Sequence, residues 1–545
     1  MAPAPEVAAC AATLAARPDD INALCGLGSA LVKRGEFAAA LKHFQRAVDL
    51  APDCVEALAG QGECSLEIGD YEDARDCFEL ARAHAPQSLA ALRGCGRLLR
   101  LSGDHSGAVT LFKEALAVAG PQADLLFELG LALNGAGDTT GAAAAYEKAL
   151  AVAPSHLGAL VNLGLIFLSQ SADPARALEL FGRACSFHPG AVAAQANYGL
   201  ALQEQGHFSQ AIAHYDALLA HNDAVEYRWN RALAYLYLGD YQHGWVDYDL
   251  RHVRGGRDFR RQFGLPEWDG ADPSGQRLLV YAEQGVGDEI MFASCLPQLI
   301  ACAASVAIEC EPRLATLFAR SFPRASIHGR ARGEDRTWLQ QQPLPDAQVA
   351  IGSLPRYLRK SVNEFPQHAG YLLPDAGRVR EWRQRLAANG GTPTVGLSWR
   401  GGSRKTRGGL RSLELADLLP LAASLPRRFI CLQRGDCSAE IDMARAAGMH
   451  IEHWPGVLDD MEDSAALIAA LDLVVSVDNT MVHLAGAVGQ LCWALLAHLP
   501  DWRYGIEGTT MPWYPSVRLF RQAEDRAWAP VIASVAAALD RFRGH

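Results

Sequence analysis

The chain has 545 residues, 50% of them hydrophobic and 20% charged, which gives room for two or three globular domains with sizeable cores. Its net charge of -11 excludes a nucleic-acid binder held by phosphate contacts and a polybasic membrane anchor. Thirteen cysteines are scattered without CxxC or a metal-ligand spacing, and Cys25, Cys64 and Cys95 fall inside helical patterns. That usage predicts a reducing compartment and no metal site. The opening MAPAPEVAAC lacks a basic n-region and an apolar h-region, and no uncharged apolar run reaches bilayer length. A cytoplasmic protein without membrane insertion is therefore expected.

The first half repeats. Prolines recur at Pro18, Pro52, Pro86, Pro121, Pro154 and Pro189, a step of 33 to 35 residues. Each repeat carries a small residue in its first helix (Gly28, Gly62, Gly96, Gly130, Gly164, Gly199, Ala232) and an aromatic in its second (Phe44, Phe78, Phe112, Tyr146, Phe181, Tyr215, Tyr248). Small residues let two antiparallel helices approach, the aromatic fills the space to the next pair, and proline ends the second helix. No single pair buries enough apolar surface alone, so the pairs must stack into a superhelix. The pattern resembles the tetratricopeptide (TPR) repeat in seven copies over roughly residues 20–251, within a domain drawn as 1–253. Such arrays usually bind extended peptide.

Two residues before the small position, repeats five to seven carry Asn162, Asn197 and Asn230, where earlier repeats carry Gly26, Gly60, Gly94 and Glu128. Three asparagines in register can each donate to and accept from a peptide backbone. They are similar to the asparagine ladder of the O-GlcNAc transferase superhelix, which grips acceptor protein by its main chain. The final repeat departs from the pattern with Gly244, Trp245 and Tyr248, as expected of a helix that docks onto the C-terminal half. Residues 254–276, which open with RGGRDFRRQFGLPEWDG, read as a connector.

From Arg277 short apolar runs alternate with helical stretches. Strands are predicted at Leu278–Tyr281, Val306–Glu309, Ala347–Ile351, Thr394–Ser398, Arg428–Leu432 and Leu473–Val477. Helices are predicted over Asp288–Ala303, Arg313–Ser321, Ala376–Ala388 and Leu413–Ala422, with a last one near Trp528–Phe542 that can cross back to the first half. Repeated βα units imply parallel sheets covered on both faces. The length suits two doubly wound halves, 277–385 and 386–545.

Three loops at strand ends carry candidate chemistry. In AEQGVGDE, Gly285 and Gly287 allow a tight turn with close backbone approach, and Asp288 opens the next helix. In WRGGSRKTRGGLRS, Arg400, Arg404, Lys405, Arg407 and Arg411 stand among glycines directly after a strand, a combination that suits an anion. In LDLVVSVDNTMVHLAGAVG, a buried strand meets a polar elbow, Asp478-Asn479-Thr480, and then a helix whose first turn carries His483. The unpaired N–H groups of such a helix start suit a phosphate. No DxD pair stands convincingly at a strand end, so no metal requirement is expected.

AEQGVGDE, GLSWRGG with RSL, LQRGD, SVDNTMVHLAGAVG and PDWRYG with PWYPSVRLFRQ together resemble bacterial TPR proteins ending in a family-9-type glycosyltransferase domain, related to the heptosyltransferases. The resemblance implies an α plus α/β chain, a TPR solenoid followed by a GT-B fold of two Rossmann-like halves. It further implies an inverting, metal-independent enzyme without a cofactor, using a nucleotide sugar as co-substrate. Asp288 falls on the heptosyltransferase catalytic aspartate. Asp478, Asn479, Thr480 and His483 fall on the donor signature, here one residue longer, and Gln433 of LQRGD joins the donor-binding set with Gly285, Gly287 and the basic loop. The family's phosphate-loop lysine has no direct match. The architecture is also similar to TPR-containing flagellin glycosyltransferases, which implies O-glycosylation of Ser or Thr in a protein held by Asn162, Asn197 and Asn230, in the narrowest form flagellin with a CMP-nonulosonic acid donor. Two other readings stand beside it: transfer to a cell-surface or lipid-linked glycan, and a non-catalytic TPR scaffold with a degenerate transferase domain.

Overall fold

The computed structural model describes residues 5–169, 173–253, 260–330, 337–341, 343–387, 392–401, 408–423 and 426–542. The chain divides into two compact units, Met1–Ala201 and Leu202–His545. In the first, a leading helix Pro5–Ala16 is followed by helix pairs that keep the proline step: Ile21–Val32 with Phe37–Leu50, Val55–Ile68 with Tyr71–His84, Leu89–Leu101 with His105–Ala119, Ala123–Gly135 with Thr139–Val152, and Leu157–Ser169 with Pro174–Phe187. Aspartates cap many of these helices, with Asp70, Asp104, Asp138 and Asp173 accepting from the amide three residues on. The turn between the helices of a pair closes on a left-handed glycine such as Gly69 (φ 88°).

The packing rule read from the sequence holds atom by atom. A Cβ built on Gly28 would lie 2.7 Å from the Phe44 ring, on Gly62 2.8 Å from Phe78, and on Gly164 2.6 Å from Phe181. Each aromatic also presses on the next repeat, for a Cβ on Gly60 would meet Phe44 at 2.4 Å and one on Gly94 would meet Phe78 at 2.2 Å. Any larger residue at these positions must push a buried ring aside.

The second unit carries the last repeats, including Phe208–Leu219, Val225–Tyr237 and Tyr241–Tyr248, and the α/β region. Its strands are β1 (Arg277–Tyr281), β2 (Ser305–Cys310), β3 (Ser326–Gly329), β4 (Ala347–Ala350), β5 (Thr394–Ser398), β6 (Arg428–Cys431), β7 (Ile451–Glu452), β8 (Leu473–Val477), β9 (Cys492–Leu496), β10 (Thr510–Met511) and β11 (Tyr514–Arg521). They form two sheets, β3-β2-β1-β4 and β10-β11-β9-β8-β5-β6-β7, in which every pairing is parallel except β10 with β11. From its first strand each sheet grows one way through the next two strands and then reverses, the order of doubly wound nucleotide-binding sheets. β8 and β9 are buried along their whole length, as parallel strands covered on both faces must be.

Three sequence expectations need correction. The predicted Asp288–Ala303 helix is broken into Val286–Phe292, a 3-10 turn Ala293–Cys295 and Leu296–Cys302, because Pro297 lacks the N–H that would continue the ladder. The predicted Leu413–Ala422 helix is a 3-10 run, Leu415–Ala423, with Pro420 inside it. The last helix, Ala529–Arg541, does not cross back. Its Val531, Ile532, Val535 and Leu539 join the core formed by β5, β6, β8 and β9.

Trp245 of the last repeat docks onto the α/β region. Its indole N–H donates to the Arg359 carbonyl at 2.8 Å, and its ring meets Trp502 edge-on at 5.4 Å and Tyr248 at 5.2 Å. Arg251 then fills the reversal point of the first sheet, where its guanidinium reaches Glu283 at 3.0 Å and Ser353 at 2.9 Å.

Candidate functional site

In a doubly wound sheet the crevice for a ligand opens where the strand order reverses, outside the carboxyl ends of the strands. In the second sheet this point lies between β5 and β8, so the loops after Ser398 and Val477 must meet. They are in close contact: a Cβ on Gly401 would stand 2.5 Å from the Asp478 carbonyl. Asn479 staples the two loops. Its Nδ2 donates to Ser398 Oγ at 2.8 Å and the Arg400 carbonyl at 3.1 Å, while its Oδ1 caps the following helix through the Met481 amide at 2.8 Å. Gln433 has a similar part on the other side of β5. Its Oε1 accepts from the amides of Trp399 (3.0 Å) and Arg400 (2.7 Å), and its Nε2 donates to the Arg434 carbonyl at 3.2 Å. Both amides are thus engaged in shaping the loops that border the crevice.

An ion cluster stands beside these loops. Asp288 Oδ1 accepts from Arg503 Nη2 at 2.5 Å, and Arg503 Nη1 reaches Asp501 Oδ1 at 2.5 Å. Asp288 Oδ2 accepts from the Gly285 amide at 3.3 Å. Asp478 Oδ2 pairs with Arg411 at 2.9 Å. Burial raises the Asp501 carboxyl, but the Arg503 guanidinium outweighs it and holds the group below its ordinary value. His483 is buried at 6% exposure and its Nδ1 faces the Tyr514 hydroxyl at 3.1 Å. Burial lowers its pKa despite the neighbouring Asp478 charge.

The loop carrying Asp288 touches the helix carrying His483 because Gly287 has no side chain. A Cβ there would lie 3.2 Å from His483 Cδ2 and 3.5 Å from Thr480 Oγ1. Gly285, Gly287, Asp288, Asp478, Asn479, Thr480 and His483 are therefore brought together. Arg400 points elsewhere, to the Asp436 carbonyl at 2.9 Å and Glu440 at 3.2 Å. Arg404, Lys405 and Arg407 lie outside the described residues. Asn162 turns its amide back to the Gly158 carbonyl of its own helix at 2.8 Å, Asn197 is half-buried, and the Asn230 side chain bonds the buried Tyr215 hydroxyl.

The sequence marked Arg411 as a cation of the basic loop but not as the partner of Asp478, and it did not mark Arg503, within PDWRYG, as the partner of Asp288. Sequence reasoning also missed a convergence of Cys431, Cys437 and His453, whose ligand atoms all lie within 4.8 Å of one another. No helix among the described residues is long and apolar enough to cross a membrane.

A tetratricopeptide repeat family model matches residues 25–88, 66–124, 127–192 and 196–244. Protein FlbA of Caulobacter vibrioides is 32% identical over 395 residues, a match covering 69% of this chain. The matched stretch spans 66% of that relative's own length, just under two thirds. Among solved structures, a thermophilic TPR protein of Thermus thermophilus is 24% identical over 34% of this chain and 99% of its own, with a TM-score of 0.31. The MamA protein is 21% identical over 30% of this chain and 90% of its own, with a TM-score of 0.28. Tetratricopeptide arrays generally bind protein partners in a groove. The repeats within residues 25–244 are tetratricopeptide repeats, and they precede a region of two parallel sheets.

Proposed function

We propose that the α/β region is a metal-independent GT-B glycosyltransferase and that the repeats present a protein acceptor to it. The observation that carries the reading is the crevice at the reversal of the second sheet. There the helix start at Thr480, the Arg411 and Arg503 guanidinium groups and the Asp288 carboxylate stand together between two doubly wound sheets. A donor diphosphate or monophosphate would take the helix start and draw the guanidinium groups from their carboxylates. Asp288, released from Arg503, would then accept the proton of the acceptor hydroxyl as that oxygen attacks the anomeric carbon. The nucleotide leaves with its charge held by the same donors. Flagellin as acceptor and a CMP-linked nonulosonic acid as donor are the narrowest form of the proposal, supported by the sequence resemblance alone.

Thermal unfolding against UDP, ADP, GDP, CMP and CDP, repeated with Arg411→Met, tests the reading. Ligand at a hundred times its dissociation constant stabilises by about 2.7 kcal/mol. One nucleotide should raise the midpoint in the parent and fail in the variant. Asp288→Asn should keep that binding and lose transfer by about a hundred- to ten-thousand-fold. A chain changed at Asn162, Asn197 and Asn230 should keep slow donor hydrolysis while losing modification of protein.

One observation favours the scaffold reading. Asp288 and Asp478 are both closed into ion pairs with arginines, which is the arrangement of a site that satisfies itself. A chain that binds none of the five nucleotides yet retains a protein partner would establish that alternative.

A further inference from the structure

Around β6 the structure gathers two cysteines and a histidine. Cys431 ends the strand, Cys437 precedes the Ser438–Ala446 helix, and His453 follows β7. The two sulfurs are 3.6 Å apart, and Cys437 Sγ lies 3.9 Å from His453 Nε2. Two thiolates on one tetrahedral zinc-class ion, at about 2.3 Å each, stand about 3.8 Å apart, and a thiolate and an imidazole about 3.6 Å. The two sides that meet at Cys437 fit those separations, and the third atom pair, Cys431 with His453, lies within 4.8 Å. As a hydrogen-bond network it is poor, since the best partner of the buried Cys431 thiol besides Cys437 is the Gln433 carbonyl at 3.9 Å.

We propose that Cys431, Cys437 and His453 bind one Zn(II)-class ion through two thiolates and one imidazole, with a water at the fourth position. Burial raises both thiols above their ordinary value, and the Arg400 guanidinium, paired with Glu440, works against that rise at each sulfur. Each thiol gives up its proton as its sulfur–metal bond forms, so uptake of one ion releases two protons to solvent. The two cysteines bracket residues 432–436, the loop whose Gln433 fixes the Trp399 and Arg400 amides at the crevice. The ion therefore fastens one wall of the crevice without touching a substrate, and the proposal holds whether or not the region is a transferase.

The test uses the full chain purified under reducing conditions without chelator. Elemental analysis should find about one zinc per chain, and Co(II) supplied to the metal-free chain should give thiolate charge-transfer and tetrahedral ligand-field bands. Both signals should disappear in Cys437→Ser and in His453→Ala, and persist in Cys302→Ser, which alters an exposed cysteine elsewhere. His453 is only half-buried, so its truncation keeps the fold even where the cysteine variant does not. A folded parent with no bound zinc and no cobalt bands would overturn the proposal. So would a Cys431–Cys437 disulfide found by mass in the absence of reductant, which would make the pair a redox element instead.

Discussion

Arg503→Met removes the cation shared by Asp288 and Asp501 while keeping an unbranched apolar side chain in its place. Arg503 is 12% exposed, and its carboxylate partners 26% and 31%. Removing one member of a fully buried pair costs about 3–5 kcal/mol because the other charge is left uncompensated. Here both carboxylates keep roughly a quarter to a third of their surface in water, so about 2–3 kcal/mol is expected. All eleven tryptophans lie beyond residue 201, so tryptophan fluorescence reports unfolding of the second unit alone. Trp502 is a sensitive probe, since the Arg503 guanidinium sits 4.6 Å above its ring. The pH dependence comes from Asp501, whose folded-state pKa is depressed. Its contribution is present above the unfolded carboxylate value of about 3.9 and is lost as pH falls through the folded value. The gap between parent and variant in urea should therefore be widest near neutrality and should close below about pH 4. An unchanged midpoint at neutral pH, or a gap that persists in acid, would refute the assignment of Arg503 as the charge holding the cluster together.

Other perturbations rest on the same geometry. Burial pushes Glu289 up to about 7, though it accepts from the Glu311 amide at 2.8 Å and faces Arg330 at 3.3 Å. Such a raised group contributes stability below its unfolded value that is lost as pH rises through about 7, so Glu289→Gln should flatten the decline in urea midpoint between about pH 5 and 8. Gly486→Ala would place a Cβ 2.3 Å from the Tyr514 ring; calorimetry should show a loss of about 1–3 kcal/mol, and His483 loses its fixed partner. Trp245→Ala should cost about 3–5 kcal/mol and, by hydrogen exchange, loosen the last repeat before the sheets.

How much of the molecule was legible in the sequence differs between the halves for a physical reason. The repeats are a one-dimensional packing code, in which Gly62 faces Phe78 and Gly164 faces Phe181 at fixed offsets, so reading the period reads the contacts. The strands β5 and β8 matched their predicted limits because they are short apolar runs ending in polar elbows. β11 was not read, since Pro515 and alternating exposure disguise it, and with it went the partner of His483. The sequence places His483 in the first turn of its helix but carries no sign that Tyr514 faces it. Ion pairs such as Asp288 with Arg503, 215 residues apart, have no local signature at all.

The structure also joins the last repeat to the ion cluster by a short rigid path. Trp245 packs edge-on against Trp502, and the next residue, Arg503, lies over that same Trp502 ring while holding Asp288. Coupling between distant parts requires an element with two arrangements, and the Arg503–Asp288 pair supplies one: closed as seen, or opened when an anion takes the guanidinium. A partner seated on the last repeat that shifts Trp245 would move the turn bearing Arg503, and the pair would weaken or tighten accordingly. A double-mutant cycle of Trp245→Phe with Arg503→Met measures this directly. Residues linked through one shared ring should show an interaction of about 0.5–3 kcal/mol, whereas independent sites add to within about 0.5 kcal/mol. Additivity would mean that the repeat merely anchors the region; non-additivity would mean that occupancy of the repeat and the charge state of the crevice are felt by each other.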